Sequence, residues 1–89
     1  MLTLVFLSFH SDHHIKRLVN YIHSSYPIII IENSGNKKLK VELERKHNNV
    51  HVEICEENLG FSKGMNLGIK LSKTPYVFLN PADIEISNE

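Results

Sequence analysis

Ile28-Ile29-Ile30-Ile31-Glu32-Asn33 decides the fold of this chain. Four consecutive β-branched residues are stiff at χ1 and favour extended backbone, and a strand with no polar residue on either alternating face must be covered on both sides. Pro27 stops any helix before the run, because its ring pushes Tyr26 out of the helical region. Glu32, Asn33, Ser34 and Gly35 close the run with turn formers. A doubly buried strand of this kind belongs in the middle of a parallel sheet, whose neighbouring strands need crossovers between them.

Working outward toward the amino terminus, Leu2 to Leu7 is a second short apolar run rich in branched and aromatic residues. It reads as the first strand. Between the two runs, Ile15, Leu18, Val19 and Ile22 fall at i, i+3, i+4 and i+7, which predicts an amphipathic helix capped by Ser11 or Asp12 and ended by Tyr26 and Pro27.

On the carboxyl side, Asn36 to His47 is dense in lysine and glutamate with Leu39, Val41 and Leu43 as its apolar residues. Alternation of the three fits a strand, while Leu39 and Leu43 at i, i+4 fit a helix. Helix is the expectation, from residue propensity and from the need for a crossover. Val50, Val52 and Ile54 alternate with His51, Glu53 and Cys55, the pattern of an edge strand. Asn58 to Lys73 follows, with Gly60, Gly64 and Gly68 every four residues and Phe61, Met65 and Ile69 one place behind. Glycine costs about 1 kcal/mol relative to alanine inside a helix, so this spacing points to a close approach by a strand or a ligand. Tyr76 to Leu79 is the fourth strand, preceded by Pro75 and followed by Asn80, Pro81, Ala82 and Asp83.

Alternating strands and helices joined by right-handed crossovers predict an α/β fold: a three-layer αβα parallel sheet of about four strands in the order 3-2-1-4. Ligands of such sheets bind beyond the carboxyl ends of the strands, at the switch between strands one and four. Ser8 and His10, Glu32 and Asn33, Glu56 to Asn58, and Asn80 to Asp83 all follow strands there. Neither a complete GxGxxG nor a GxxxxGK[ST] opens any helix.

With 89 residues, 42% hydrophobic and 22% charged, the chain is expected to be a single domain, residues 1–89. Ten basic and ten acidic residues cancel, so nucleic acid and anionic membrane are not expected partners. One cysteine forms no internal disulfide, which fits a reducing, cytoplasmic setting. The apolar opening Met1 to Phe9 is too short for an integral membrane segment. A domain this small buries only about 60 to 65% of the surface its unfolded chain exposes, so something more is expected to cover it.

IIIIEN (28–33), NLGFSKGMNLG (58–68) and PYVFLNPAD (75–83), in that order, resemble the amino-terminal half of family 2 glycosyltransferases, with a rhamnosyltransferase-like pattern. The resemblance implies the Rossmann-like donor half of a GT-A fold, a nucleotide-diphosphate sugar as partner, a divalent cofactor, Mn²⁺ or Mg²⁺, and inverting transfer of the sugar. It places Ser8, Phe9 and His10 beside the base and Glu32 where the family has a base-contacting aspartate. It places Asn58, Gly60, Lys63 and Asn66 in the nucleotide-contacting segment, and Asp83 at the metal, with Glu85 as a weaker substitute. Glutamate at 32 departs from the family by one methylene, and Ala82 reads as one residue inserted into an Asn-Pro-Asp motif.

Each assignment has a plainer alternative: a solvated turn carboxylate for Glu32 and Asp83, a surface lysine for Lys63, helix packing for Gly64 and Gly68. His10, His13 and His14 lack a convergent third ligand and carry no metal assignment, and Cys55 reads as a small buried apolar residue. No catalytic residue is assigned, because the family's general base lies beyond the matching half. The expectation is therefore a truncated donor-binding fragment, or alternatively a noncatalytic interaction module that kept the fold. Cutting a sheet after its fourth strand leaves an open edge, which predicts homo-oligomers.

Overall fold

A computed structural model describes residues 2–22, 24–74 and 76–81, with Phe61 and 76–81 described for the backbone alone. The elements run β1 (Leu2–Ser8), α1 (Asp12–Tyr21), β2 (Ile28–Glu32), α2 (Lys37–Lys46), β3 (Val50–Ile54), α3 (Gly60–Leu71) and β4 (Tyr76–Pro81). β1, β2 and β3 are parallel neighbours alternating with the helices in a Rossmann-like arrangement, and β4 pairs in parallel with the other side of β1. Every residue of β2 is buried, as four isoleucines between two neighbouring strands require.

Alternation along β1 and β2 feeds two separate cores. Phe6, Ile28 and Ile30, with Val50 and Val52 of β3, pack under Ile15, Leu18 and Val19 of α1 and Leu39 and Leu43 of α2. Val5, Ile29 and Ile31 face the other way, with Met65 of α3 and Cys55. Two helices thus cover one face and one covers the other. Full burial of an isoleucine or leucine stabilises by about 1.5 to 3 kcal/mol, so β2, with side chains in both cores, is the chief anchor of the sheet.

The helix expected over 36–47 forms, with Leu39 and Leu43 buried and Val41 59% exposed. Asn36 caps it through a bond from the Leu39 N–H to Oδ1 at 3.1 Å. Two local expectations for α1 fail. It ends at Tyr21, with Ile22 already extended, well before Tyr26 and Pro27. Ser11 occupies its N-cap without capping, since the hydroxyl donates instead to the Phe9 carbonyl at 3.0 Å.

α3 descends along β1 on glycines. A Cβ at Gly64 would meet the Leu7 Cδ2 atom, and one at Gly68 would meet Val5 Cγ1. The four-residue spacing therefore serves helix-on-strand packing. Gly60 differs: its φ of +76° with open space around it marks a left-handed entry into the helix.

At the β3 edge, side chains of α2 replace the missing strand. The Val52 N–H donates to Glu44 Oε2 at 2.8 Å, and Lys40 Nζ donates to the Val52 carbonyl at 2.7 Å. Lys40 and Glu44 also pair with each other at 2.8 Å.

Candidate functional site

The carboxyl ends of β1, β2 and β3 meet at one rim. Ser8 lies opposite Glu32 in the β1–β2 register, and Glu32 opposite Ile54 in the β2–β3 register. Backbone bonds continue the pairing into the loops, from Asn33 N–H to the Ser8 carbonyl at 2.7 Å and from Cys55 N–H to the Glu32 carbonyl at 2.9 Å.

Glu32 is 0% exposed, so it is not a solvated turn carboxylate. Burial of a carboxylate is costly unless hydrogen bonds replace its water. Here three donors do so: Ser34 N–H at 2.9 Å and Asn36 N–H at 2.8 Å to Oε2, and the Ser34 hydroxyl at 2.7 Å to Oε1. The carboxylate folds back on its own loop.

Ser34 carries the constraint across to the β1 loop, because its Oγ accepts the His10 N–H at 3.2 Å. His10 holds a φ of +53°, a left-handed conformation that non-glycine residues rarely adopt. Phe9 is 51% exposed beside it, and the two rings meet edge to face with centroids 4.4 Å apart. Ser8 Oγ is buried with no partner among the described residues. An unsatisfied buried hydroxyl costs about 1 to 3 kcal/mol unless an ordered water or another group partners it.

Asn33 ties the third loop to the rim: its Oδ1 accepts the Leu59 N–H at 3.3 Å. Next to Leu59, Asn58 Oδ1 accepts the Gly60 N–H at 2.9 Å and so shapes the left-handed turn into α3. Asn58, Gly60 and Lys63 are exposed at this end of the molecule. Asn66 is exposed as well, but one helix turn is about 5.4 Å, so it lies roughly 9 Å of rise below Gly60, away from the strand tips. Asp83 and Glu85 lie outside the described residues.

Of the residues that hold the rim together, the sequence shows Asn33 as a turn former and strand-tip polar residue, Ser34 as a turn former, and Asn36 as the start of the α2 stretch. The available signal was their chemistry: short polar side chains that bond to nearby backbone. Among the described residues no group of three or more His, Cys, Asp and Glu could hold a metal ion. Burial pushes the Cys55 thiol up, with Glu53 and Glu32 adding to the shift, which keeps it protonated and unreactive near neutral pH. No helix among the described residues is long and apolar enough to cross a membrane.

Residues 11–89 match the family described as Glycosyl transferase family 2. The low-salt glycan biosynthesis hexosyltransferase Agl10 of Haloferax volcanii is 28% identical over 93 residues, covering 99% of this chain. The chain spans 29% of that relative's length.

Proposed function

This chain belongs to glycosyl transferase family 2, and from that premise we propose that it forms the donor half of an inverting, metal-dependent glycosyltransferase of GT-A type. The donor is a nucleotide-diphosphate hexose, in keeping with the rhamnosyltransferase-like pattern and with the hexosyltransferase relative. No acceptor site or general base is assigned to these 89 residues, which span 29% of the relative's length.

The observation that carries the proposal is the tied rim at the carboxyl ends of adjacent parallel strands, where α/β sheets bind nucleotides. Phe9 supplies an exposed aromatic face for a base, and Ser8 Oγ a buried polar atom that lacks a partner. Glu32 serves this pocket indirectly, by holding Ser34 and through it the backbone of His10. Asn58, Gly60 and Lys63 border the phosphates, Asn66 lies farther along the same helix, and Asp83 holds Mn²⁺ or Mg²⁺, whose charge screens the diphosphate.

Titration calorimetry with UDP, dTDP and GDP, with and without Mn²⁺, tests this. Metal-dependent heat with one nucleotide, lost in Asp83→Ala, is the expected result. A second reading, a noncatalytic module that kept the fold, is favoured by the internal use of the Glu32 carboxylate and by Ala82 in the Asn-Pro-Ala-Asp sequence. Absence of heat with all three nucleotides overturns the first reading and leaves the second standing.

A further inference from the structure

The zero net charge of the chain is the sum of two unequal regions. α1 and α2 together hold seven Lys and Arg (Lys16, Arg17, Lys37, Lys38, Lys40, Arg45, Lys46) against three acids (Asp12, Glu42, Glu44), seven minus three giving +4. The rest of the chain holds three against seven, or −4. Both helices lie on one face of the sheet and share one core, so the positive charge is gathered on one side of the molecule.

Helix stability accounts for only part of this charge. Arg45 and Lys46 in the last turn of α2 complement its carbonyl end. Lys37 and Lys38 occupy the first turn, where the helix dipole opposes cations, and no acid accompanies them there. Two lysines are thus kept at a place where they weaken their own helix. Outward on the same layer, Val41 is 59% and Tyr21 61% exposed. The Lys16–Glu42 pair at 2.8 Å joins α1 to α2, and beside it a shallow groove of about 400 Å³ is lined by Asn20, Val41, Arg45, Lys46 and His47. Among the described residues Lys38, Arg45 and Lys46 make no ion pair.

We propose that the α1–α2 face docks on an anionic phospholipid surface. Such a surface offers both things this face presents: phosphate charge for Lys37, Lys38, Arg45 and Lys46, and a shallow apolar layer for Val41 and Tyr21. Nucleic acid would match the charge but not the aliphatic Val41. Local charge density governs attraction within a Debye length, about 8 to 10 Å at physiological salt, so the negative remainder of the molecule does not cancel it.

Co-sedimentation of the whole chain with vesicles of phosphatidylcholine, alone or with phosphatidylserine, tests the proposal. Binding is expected only with phosphatidylserine and is expected to fall as salt is raised. Each cation near an anionic bilayer strengthens binding about fivefold, so the double variant Lys38→Gln, Arg45→Gln is expected to bind about 25-fold more weakly. The double variant Lys70→Gln, Lys73→Gln removes the same charge elsewhere and is expected to bind like the parent chain. Thermal melts by circular dichroism confirm that each variant is folded. The proposal is overturned if phosphatidylserine has no effect, if the two double variants weaken equally, or if a single-stranded RNA competes the chain off the vesicles.

Discussion

At the scale of single residues, Glu32 shows how a side chain can keep its place in a site while changing its work. A carboxylate that accepts three hydrogen bonds inside the protein is an organiser of its loop, and the loop in turn fixes His10. Glu32→Gln keeps one oxygen for the Ser34 and Asn36 N–H groups and turns its amide toward the Ser34 hydroxyl, which can accept, so the change removes the charge rather than the bonds. We expect a loss of about 2 kcal/mol in stability, measured by urea unfolding, because bonds to a charged acceptor are stronger than the neutral ones that replace them. A variant as stable as the parent would show the carboxylate to be dispensable for the loop. Gly60 has the opposite character: its open surroundings leave room for a side chain, but its φ of +76° makes Gly60→Ala cost about 1 to 2 kcal/mol.

At the scale of elements, the seating of α3 on β1 depends on which atom each glycine faces. Gly64 faces the far end of Leu7, a side chain that can swing away, whereas Gly68 faces Val5, whose branched Cβ allows little movement. Alanine in a helix recovers about 1 kcal/mol over glycine. Gly64→Ala is therefore expected to be near neutral, and Gly68→Ala to destabilise by about 1 to 3 kcal/mol through overpacking, as thermal melts would read. Equal effects at the two sites would contradict this packing account.

The α2–β3 edge carries its own pH signature. Desolvation raises the Glu44 pKa, but bonds from Lys40 and the Val52 N–H and the charges of Lys40 and His51 outweigh it and hold the carboxyl below its usual value of 4.5. A depressed folded pKa means stability that is present above the unfolded value and lost as pH falls through the folded one. Stability should therefore decline below about pH 4.5, and Glu44→Gln should flatten that part of the decline while weakening the protein at neutral pH. Melts of both proteins across the acid range decide it.

At the scale of the whole molecule, the two sheet edges are treated differently. β3 has Lys40 and Glu44 bonded to Val52 in place of a neighbour, while β4 pairs with β1 alone among the described residues. Unpaired edges recruit strands, and a chain of this size has a small core to begin with. We expect concentration-dependent self-association through β4 in analytical ultracentrifugation. A monomer at every concentration would count against it.

Local pattern was enough for the strands and helices. Ile28 to Ile31 cannot avoid a doubly buried strand, and Leu39 with Leu43 sets the buried stripe of α2, because hydrophobic period and chain stiffness act over a few residues. The end of α1 is less legible, since Pro27 marks the latest point at which a helix must stop while α1 ends at Tyr21. The destination of the Glu32 carboxylate, the link from Ser34 to His10 and the gathering of seven cations on one face needed tertiary structure. The last two depend on groups remote in sequence being brought within hydrogen-bond reach or onto a common surface, whereas the Glu32 carboxylate bonds only to Ser34 and Asn36 and depends on how its own loop folds in the buried rim.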